Sequence, residues 1–230
     1  MKKKNLMLLM LKIDLHVHTW YSDSTGSVKQ VLEVAQRRGL DGIAITDHDT
    51  LQGAYEALQE NNKLIIIPGM EIKTTQGEIL AIGIRHPISK RLSMIDALRK
   101  IHEQKALAIV PHPTIPLFGA LKEKDLKKLR IDGIEAISAI TPLYCHYLRK
   151  NIELATQLKL PIITGSDSHS PETVGDAFTK VYSESKDLGD ILNAIKLGHT
   201  EISGRPSAFK FKLRTLQGLL LYPFGRLFER

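Results

Sequence analysis

His16-Val17-His18 is the first of several places in this 230-residue chain where metal-ligating side chains follow or end an apolar run. Two imidazoles at i and i+2 of a strand point to one side, so both can reach a single ion. Thr46-Asp47-His48-Asp49 follows Ile43-Ala44-Ile45, Glu71 ends Pro68-Gly69-Met70-Glu71, and Pro111-His112-Pro113 fixes a histidine between two prolines. Gly165-Ser166-Asp167-Ser168-His169 again sets a carboxylate and an imidazole two residues apart; Asp23 lies in Ser22-Asp23-Ser24, and Glu78 opens Glu78-Ile79-Leu80. These side chains suit borderline-hard ions and are more numerous than one ion needs. A glutamate such as Glu71 can span two ions about 3.5–4 Å apart with its two oxygens. Two or three divalent ions bridged by shared carboxylates are therefore expected, and that chemistry is hydrolysis. Asp167 can bind an ion and accept a proton from water. Asp47 or Asp49 can support His48, with Asp49 the expected N-cap of the next helix.

Short strands alternating with amphipathic helices must position these residues. The strand candidates are Lys12–Val17, Gly42–Thr46, Leu64–Pro68, Ile79–Ile84, Leu107–Val110, Gly133–Ile137 and Pro161–Thr164. The helix candidates include Ser27–Arg38, Thr50–Asn61, Ser93–Gln104, Leu143–Leu158 and Leu188–Leu197, with Ser27 and Ser93 as N-caps and Gly39 and Gly198 past helix ends. Such alternation fits a mainly parallel sheet, either open or closed. Ligand-type residues at the ends of many strands favour closure, because only a barrel makes those ends converge. The expected fold is α/β, a distorted barrel of about seven strands spanning residues 1–205. Residues 206–230 form a basic segment, apolar on one face through Leu213, Leu216 and Leu219–Leu221. It is expected to pack on the barrel or on a second copy in a homo-oligomer, the alternative being a membrane-surface or nucleic-acid contact.

Bulk properties narrow the class. Apolar content of 43% and charged content of 25% suit a globular protein. The net charge of +7 misleads, because Lys2–Lys4 contribute three positive charges and residues 205–230 a net five, leaving residues 5–204 at −1. The basic balance is thus poor evidence that the main body binds nucleic acid. A single cysteine, Cys145, excludes an internal disulfide framework and a cysteine-built zinc site, and points to a reducing, cytoplasmic setting. Lys2–Lys4 and the apolar run Leu6–Leu11 imitate a secretory leader, but the run is short and passes straight into His16 and His18. No stretch reaches the length of a membrane span.

His16-Val17-His18-Thr19, Thr46-Asp47-His48-Asp49, Gly69-Met70-Glu71, Pro111-His112-Pro113 and Gly165-Ser166-Asp167-Ser168-His169, in that order, resemble the motifs of the PHP (polymerase and histidinol phosphatase) family over roughly residues 12–205. The resemblance implies a distorted (β/α)7 TIM-like barrel and a two- or three-metal centre (Mn, Zn or Fe) that cleaves phosphate esters. Carried over by motif, His16, His18, Glu71 and Asp167 hold a first ion. Glu71 and His112 hold a second, and Asp23, His48 and His169 a third. The family often has a histidine in the strand after Gly-x-Glu; here Glu78 is offered instead, which adds negative charge and favours harder ions such as manganese. Glu135 or Ser138 is the remaining candidate for that second site.

The expected mechanism is in-line attack on phosphorus by a metal-bound hydroxide, with Asp167 orienting or deprotonating it and Arg149 clamping a phosphoryl oxygen, Lys90 and Arg91 being further candidates. A small phosphomonoester such as a nucleotide is the expected substrate. A nuclease trimming short oligonucleotides is the alternative, and a non-catalytic binding subunit the reading from another class. His86, His102, His146 and His199 are assigned structural roles.

Overall fold

The computed structural model describes residues 8–60, 63–115, 123–141, 143–208 and 211. Among these residues nine strands form one sheet: β1 (Leu9–Val17), β2 (Gly42–Ile45), β3 (Ile65–Thr74), β4 (Gly77–Ile82), β5 (Leu107–Val110), β6 (Gly133–Ser138), β7 (Ile162–Gly165), β8 (Ala177–Ser183) and β9 (Thr200–Gly204). Their order is β7-β6-β5-β4-β3-β2-β1-β8-β9. β4 is antiparallel to both neighbours, as is β8, while the β1–β2–β3 and β5–β6–β7 runs are parallel. Helices α1 (Val28–Arg37), α2 (Gln52–Gln59), α3 (Met94–Glu103), α4 (Glu123–Leu126), α5 (Tyr144–Leu158) and α6 (Leu188–Lys196) complete the fold.

The sheet curls into a nearly closed barrel, as the sequence leads one to expect, with β8 and β9 added. At the mouth β7 meets β1 directly: Asp167 N donates to His16 O at 2.8 Å, and His18 N to Ser168 O at 3.0 Å. At the other end β8 enters between them, where Thr179 Oγ1 donates to Thr164 O and accepts from Thr164 N. Gly165 permits the close approach, since a Cβ there would meet the His16 Cβ at 2.5 Å.

Two apolar layers follow from the strand period. Leu11, Ile13, Leu15, Ala44, Ile67, Leu80, Ile82 and Ile109 pack with Ile191, Leu192 and Ile195 of α6, which closes the barrel opposite the mouth. The other layer joins the sheet to α1, α2, α3 and α5, through residues such as Val31, Ala54, Leu98 and Leu154. Ser27 caps α1 with a reciprocal pair to Gln30, Ser93 caps α3, and Gly39 and Gly198 take left-handed conformations, as expected. Asp49 does not cap α2. That helix begins after Leu51 without a side-chain cap, and Asp49 instead accepts from Lys73 N at 2.9 Å.

Leu9–Leu11 of the leader-like run belong to β1, with Leu9 and Met10 exposed and Leu11 buried. Residues 1–7, 209, 210 and 212–230 lie outside the described residues, and with them most of the basic C-terminal segment. Ser207 is still tied to the barrel, its N donating to Ala139 O and its Oγ to Asp176 Oδ2. Among the described residues, no helix is long and apolar enough to cross a membrane.

Candidate metal centre

A register shift in β1 between Asp14 and Val17 makes the mouth polar. Leu11, Ile13 and Leu15 face the barrel interior. An extra residue rephases the strand, so that His16 and His18 point inward after them. Asp14 clamps this bend by accepting from Ser166 N and Gly175 N, each at 2.8 Å. Burial, only partly offset by these bonds, raises its carboxyl to about 6.

His16 Nε2 and His18 Nε2 lie 3.0 Å apart, and each is 3.2 Å from Glu71 Oε2. Asp167 Oδ1 is 3.5 Å from the first nitrogen and 3.3 Å from the second. These are five edges of a tetrahedron; four ligands at 2.0–2.1 Å from a zinc-sized ion stand about 3.3 Å apart. The tautomers agree. His16 Nδ1 lies 3.0 Å from Glu135 Oε1, which can only accept when ionised, so Nδ1 carries the proton and Nε2 presents its lone pair. His169 Nδ1 likewise donates to Asp167 O at 2.9 Å, freeing Nε2 to face Asp23 Oδ2 at 3.2 Å.

A second cluster adjoins the first. Asp23 Oδ2 is 3.4 Å from His48 Nε2, and Asp23 Oδ1 is 3.8 Å from His18 Nδ1. Asp23, His48 and His169 therefore converge as the motifs suggest, with His18 joining them. Asp47 does not orient His48. It accepts from Thr19 N, Thr19 Oγ1 and Ser22 Oγ at 2.6–2.7 Å, and so fixes the loop that carries Asp23.

The third grouping is His48, Glu71 and Glu78. His48 is held beside Glu71 through the backbone, Asp49 N donating to Glu71 O at 3.0 Å. Among the described residues Glu71 Oε1 and His48 Nδ1 are buried without a hydrogen-bond partner, His48 Nδ1 standing 3.4 Å from Glu71 Oε2. Buried polar atoms left without partners are costly unless something fills the space between them. His112 Nε2 stands 3.7 Å from Glu71 Oε1. Glu135 is not a ligand of this grouping: besides His16 it binds His112 N at 3.3 Å, and Ser138 pairs with Thr141.

The electrostatics are those of donors gathered for a cation. Burial would raise the carboxyls of Asp23, Glu71 and Asp167, but the surrounding imidazoles hold all three well below the usual range. Burial would lower the histidines; carboxylates outweigh it, lifting His16, His48 and His112 and bringing His18 to about 10. Glu78 is raised by burial and by Glu71. Divalent ions fit this donor set, since they would neutralise the carboxylates and replace the protons between facing imidazoles.

Of the other expected residues, Arg149 lies exposed on α5 with no hydrogen bond or ion pair to the centre among the described residues. His102 pairs with Asp132 at 2.8 Å, while His86, His146 and His199 are exposed. One residue escaped the sequence reading, Lys73, whose Nζ is 3.9 Å from Glu78 Oε1; Glu135, expected as a candidate for the second site, instead lies behind His16. An i+2 spacing from Glu71 was the available signal for Lys73.

Comparison with known proteins gives the family and the fold. The PHP domain description matches residues 14–198. An uncharacterized protein of Methanocaldococcus jannaschii, MJ1587, is 37% identical over 142 residues, covering 56% of this chain and 82% of the relative. A phosphoribosyl 1,2-cyclic phosphate 1,2-diphosphodiesterase of Eggerthella lenta is 37% identical over 79 residues, 31% of this chain and 30% of that protein. A solved two-domain protein of Bacteroides vulgatus, described as containing a predicted PHP-like metal-dependent phosphoesterase, superposes with a TM-score of 0.75 at 20% identity, over 89% of this chain and 70% of that one.

Proposed function

The chain belongs to the PHP domain family of metal-dependent phosphoesterases, and on that premise we propose that it hydrolyses a small phosphomonoester, a nucleotide in particular, at a centre of two or three divalent ions. The observation that carries this reading is the five-edged cluster of His16, His18, Glu71 and Asp167, which shares Glu71 with the His48 and Glu78 grouping. Bound ions would supply Lewis-acid polarisation of the phosphoryl group and lower the pKa of water from about 15.7 toward about 7. Asp167, kept ionised by His16, His18 and His169, orients the attacking water. Glu135 fixes the His16 tautomer, and the Asp47 clamp holds Asp23 in place.

Trp20 supports the nucleotide preference. It lies in the loop between His18 and Asp23, is 58% exposed, and stands perpendicular to Tyr21, which is itself tied to Glu56. An exposed indole beside a phosphoryl site offers a nucleobase a stacking surface. The same surface suits an oligonucleotide end, which makes a nuclease the second reading. The exposed Cys145 suits a reducing, cytoplasmic setting. We place the catalytic barrel in residues 1–205 and treat 206–230 as a packing segment.

The test is phosphate release by manganese-reloaded protein across nucleotides, nucleoside bisphosphates, sugar phosphates and short oligonucleotides, with Asp167→Asn beside it. Release confined to nucleotides and lost in the variant is expected. Shortened oligonucleotides without free phosphate would transfer the assignment to a nuclease, and absence of bound metal would favour a binding subunit.

A further inference from the structure

Strand alternation puts Lys73 on the same face of β3 as Glu71, one pleat nearer the rim. The β3–β4 register sets Glu71 opposite Leu80 and Lys73 opposite Glu78. Lys73 Nζ lies 3.9 Å from Glu78 Oε1, beyond hydrogen-bond reach, and makes no hydrogen bond among the described residues. Its side chain is 49% exposed. A lysine present only to neutralise Glu78 would close that gap and hydrogen-bond; so loose and exposed a pair contributes little to the fold.

The backbone beneath it is fixed. Lys73 N donates to Asp49 Oδ1 at 2.9 Å, and Lys73 O accepts from Arg91 N at 2.7 Å. Asp49 and Arg91 hold positive φ values of 55° and 62°, a conformation unfavourable for residues other than glycine. A stem anchored this way, ending in an ammonium only loosely paired with Glu78 beside a group of metal-type ligands, is what recognition of a phosphoryl oxygen requires. We propose that Lys73 binds a non-bridging oxygen of the substrate's phosphoryl group and of the phosphate released. This assignment rests on the phosphoesterase reading above and adds the residue that grips the anion on the Glu78 side.

The test measures binding of inorganic phosphate to the metal-loaded full chain by calorimetry, and KM and kcat on the best substrate, for wild type, Lys73→Met, Lys73→Arg and Arg149→Met. Metal content and melting temperature are followed throughout. Lys73→Met is expected to weaken phosphate binding about tenfold to a hundredfold and to raise KM more than it lowers kcat, with metal content and melting temperature kept. Lys73→Arg should restore most of the loss. Unchanged phosphate affinity in Lys73→Met overturns the proposal, as does a loss that appears only together with lost metal, or a loss confined to Arg149→Met. If metal-loaded wild type neither binds phosphate nor hydrolyses any phosphoester, the phosphoesterase reading falls first, and that failure is visible before any variant is measured.

Discussion

The two flanks of Glu71 are built differently. On the His16 side its Oε2 meets two imidazole nitrogens at 3.2 Å, and His16 is backed by a buried carboxylate, Glu135. On the Glu78 side its Oε1 has no hydrogen-bond partner among the described residues, nor has His48 Nδ1, and Glu78 faces the half-exposed Lys73. The first flank is preorganised, because its donors are spaced for an ion and their tautomers are set from behind. The second sets Glu78 beside Glu71 with fewer imidazoles fixed from behind, which favours a harder and more weakly held ion. The difference predicts unequal affinities at adjoining positions: one shaped to keep its ion, the other more open to substrate.

Removing the shared residue erases the difference. Glu71→Gln is expected to lower metal content on both flanks and reduce activity about a thousandfold or more, read by elemental analysis and phosphate release. An intact first flank in that variant would mean that Glu71 is not shared. Glu78→Gln should separate the flanks, losing one equivalent of metal while the His16 side keeps its own, with activity falling about tenfold to a hundredfold. Loss of all metal would show that the two fill together.

Much of this was legible in the chain. All seven expected strands and five expected helices form, because the apolar runs and amphipathic periods there are strong. β8 was hidden by its own composition. Its inward residues include Thr179 and Ser183, while Phe178 and Tyr182 lie partly exposed, reversing the usual pattern. Thr179 faces inward because its hydroxyl bridges the backbone of β7. β9 is short and only partly buried, so it carries no period to read. The candidate metal-binding residues were readable from spacing and their main groups from the motifs, but the sharing of His18 and His48 between groups was not. Which group His18 and His48 serve depends on where each ring nitrogen points, and the bulge in β1 sets that for His18. Glu135 was legible only as a candidate for the second site, because its contact lies across the barrel, on His16.

Glu135 sharpens the comparison from behind. Glutamine there offers one acceptor, where His16 Nδ1–H and His112 N each need one. Glu135→Gln should therefore weaken metal binding on the His16 flank about tenfold to a hundredfold in a chelator competition, with a smaller change on the Glu78 flank. Equal losses on both would mean that Glu135 supports the whole mouth rather than one histidine.

The smallest expected effect is in stability, and its direction follows from the protonation of the His16 flank. In metal-free protein burial lowers His18, but Asp167 and Glu71 outweigh it and raise it from 6.5 to about 10. A raised histidine contributes stability that is fully present below pH 6.5 and is lost as pH climbs through about 10. Asp23 and Asp167 act at the other end: held well below 3.8 by the imidazoles, they contribute stability present above that pH and lost as it falls through their lowered values. Chelated protein should thus melt highest between about pH 4 and 6.5 and lose stability steadily toward pH 10. Metal-loaded protein should lack the alkaline slope, because an ion rather than a proton then holds His18 against Glu71. Melting curves across pH, with and without chelator, decide it. The same alkaline slope in both would mean that the ion does not displace the proton on His18, and the His16 flank would then lose its claim to be the tighter of the two.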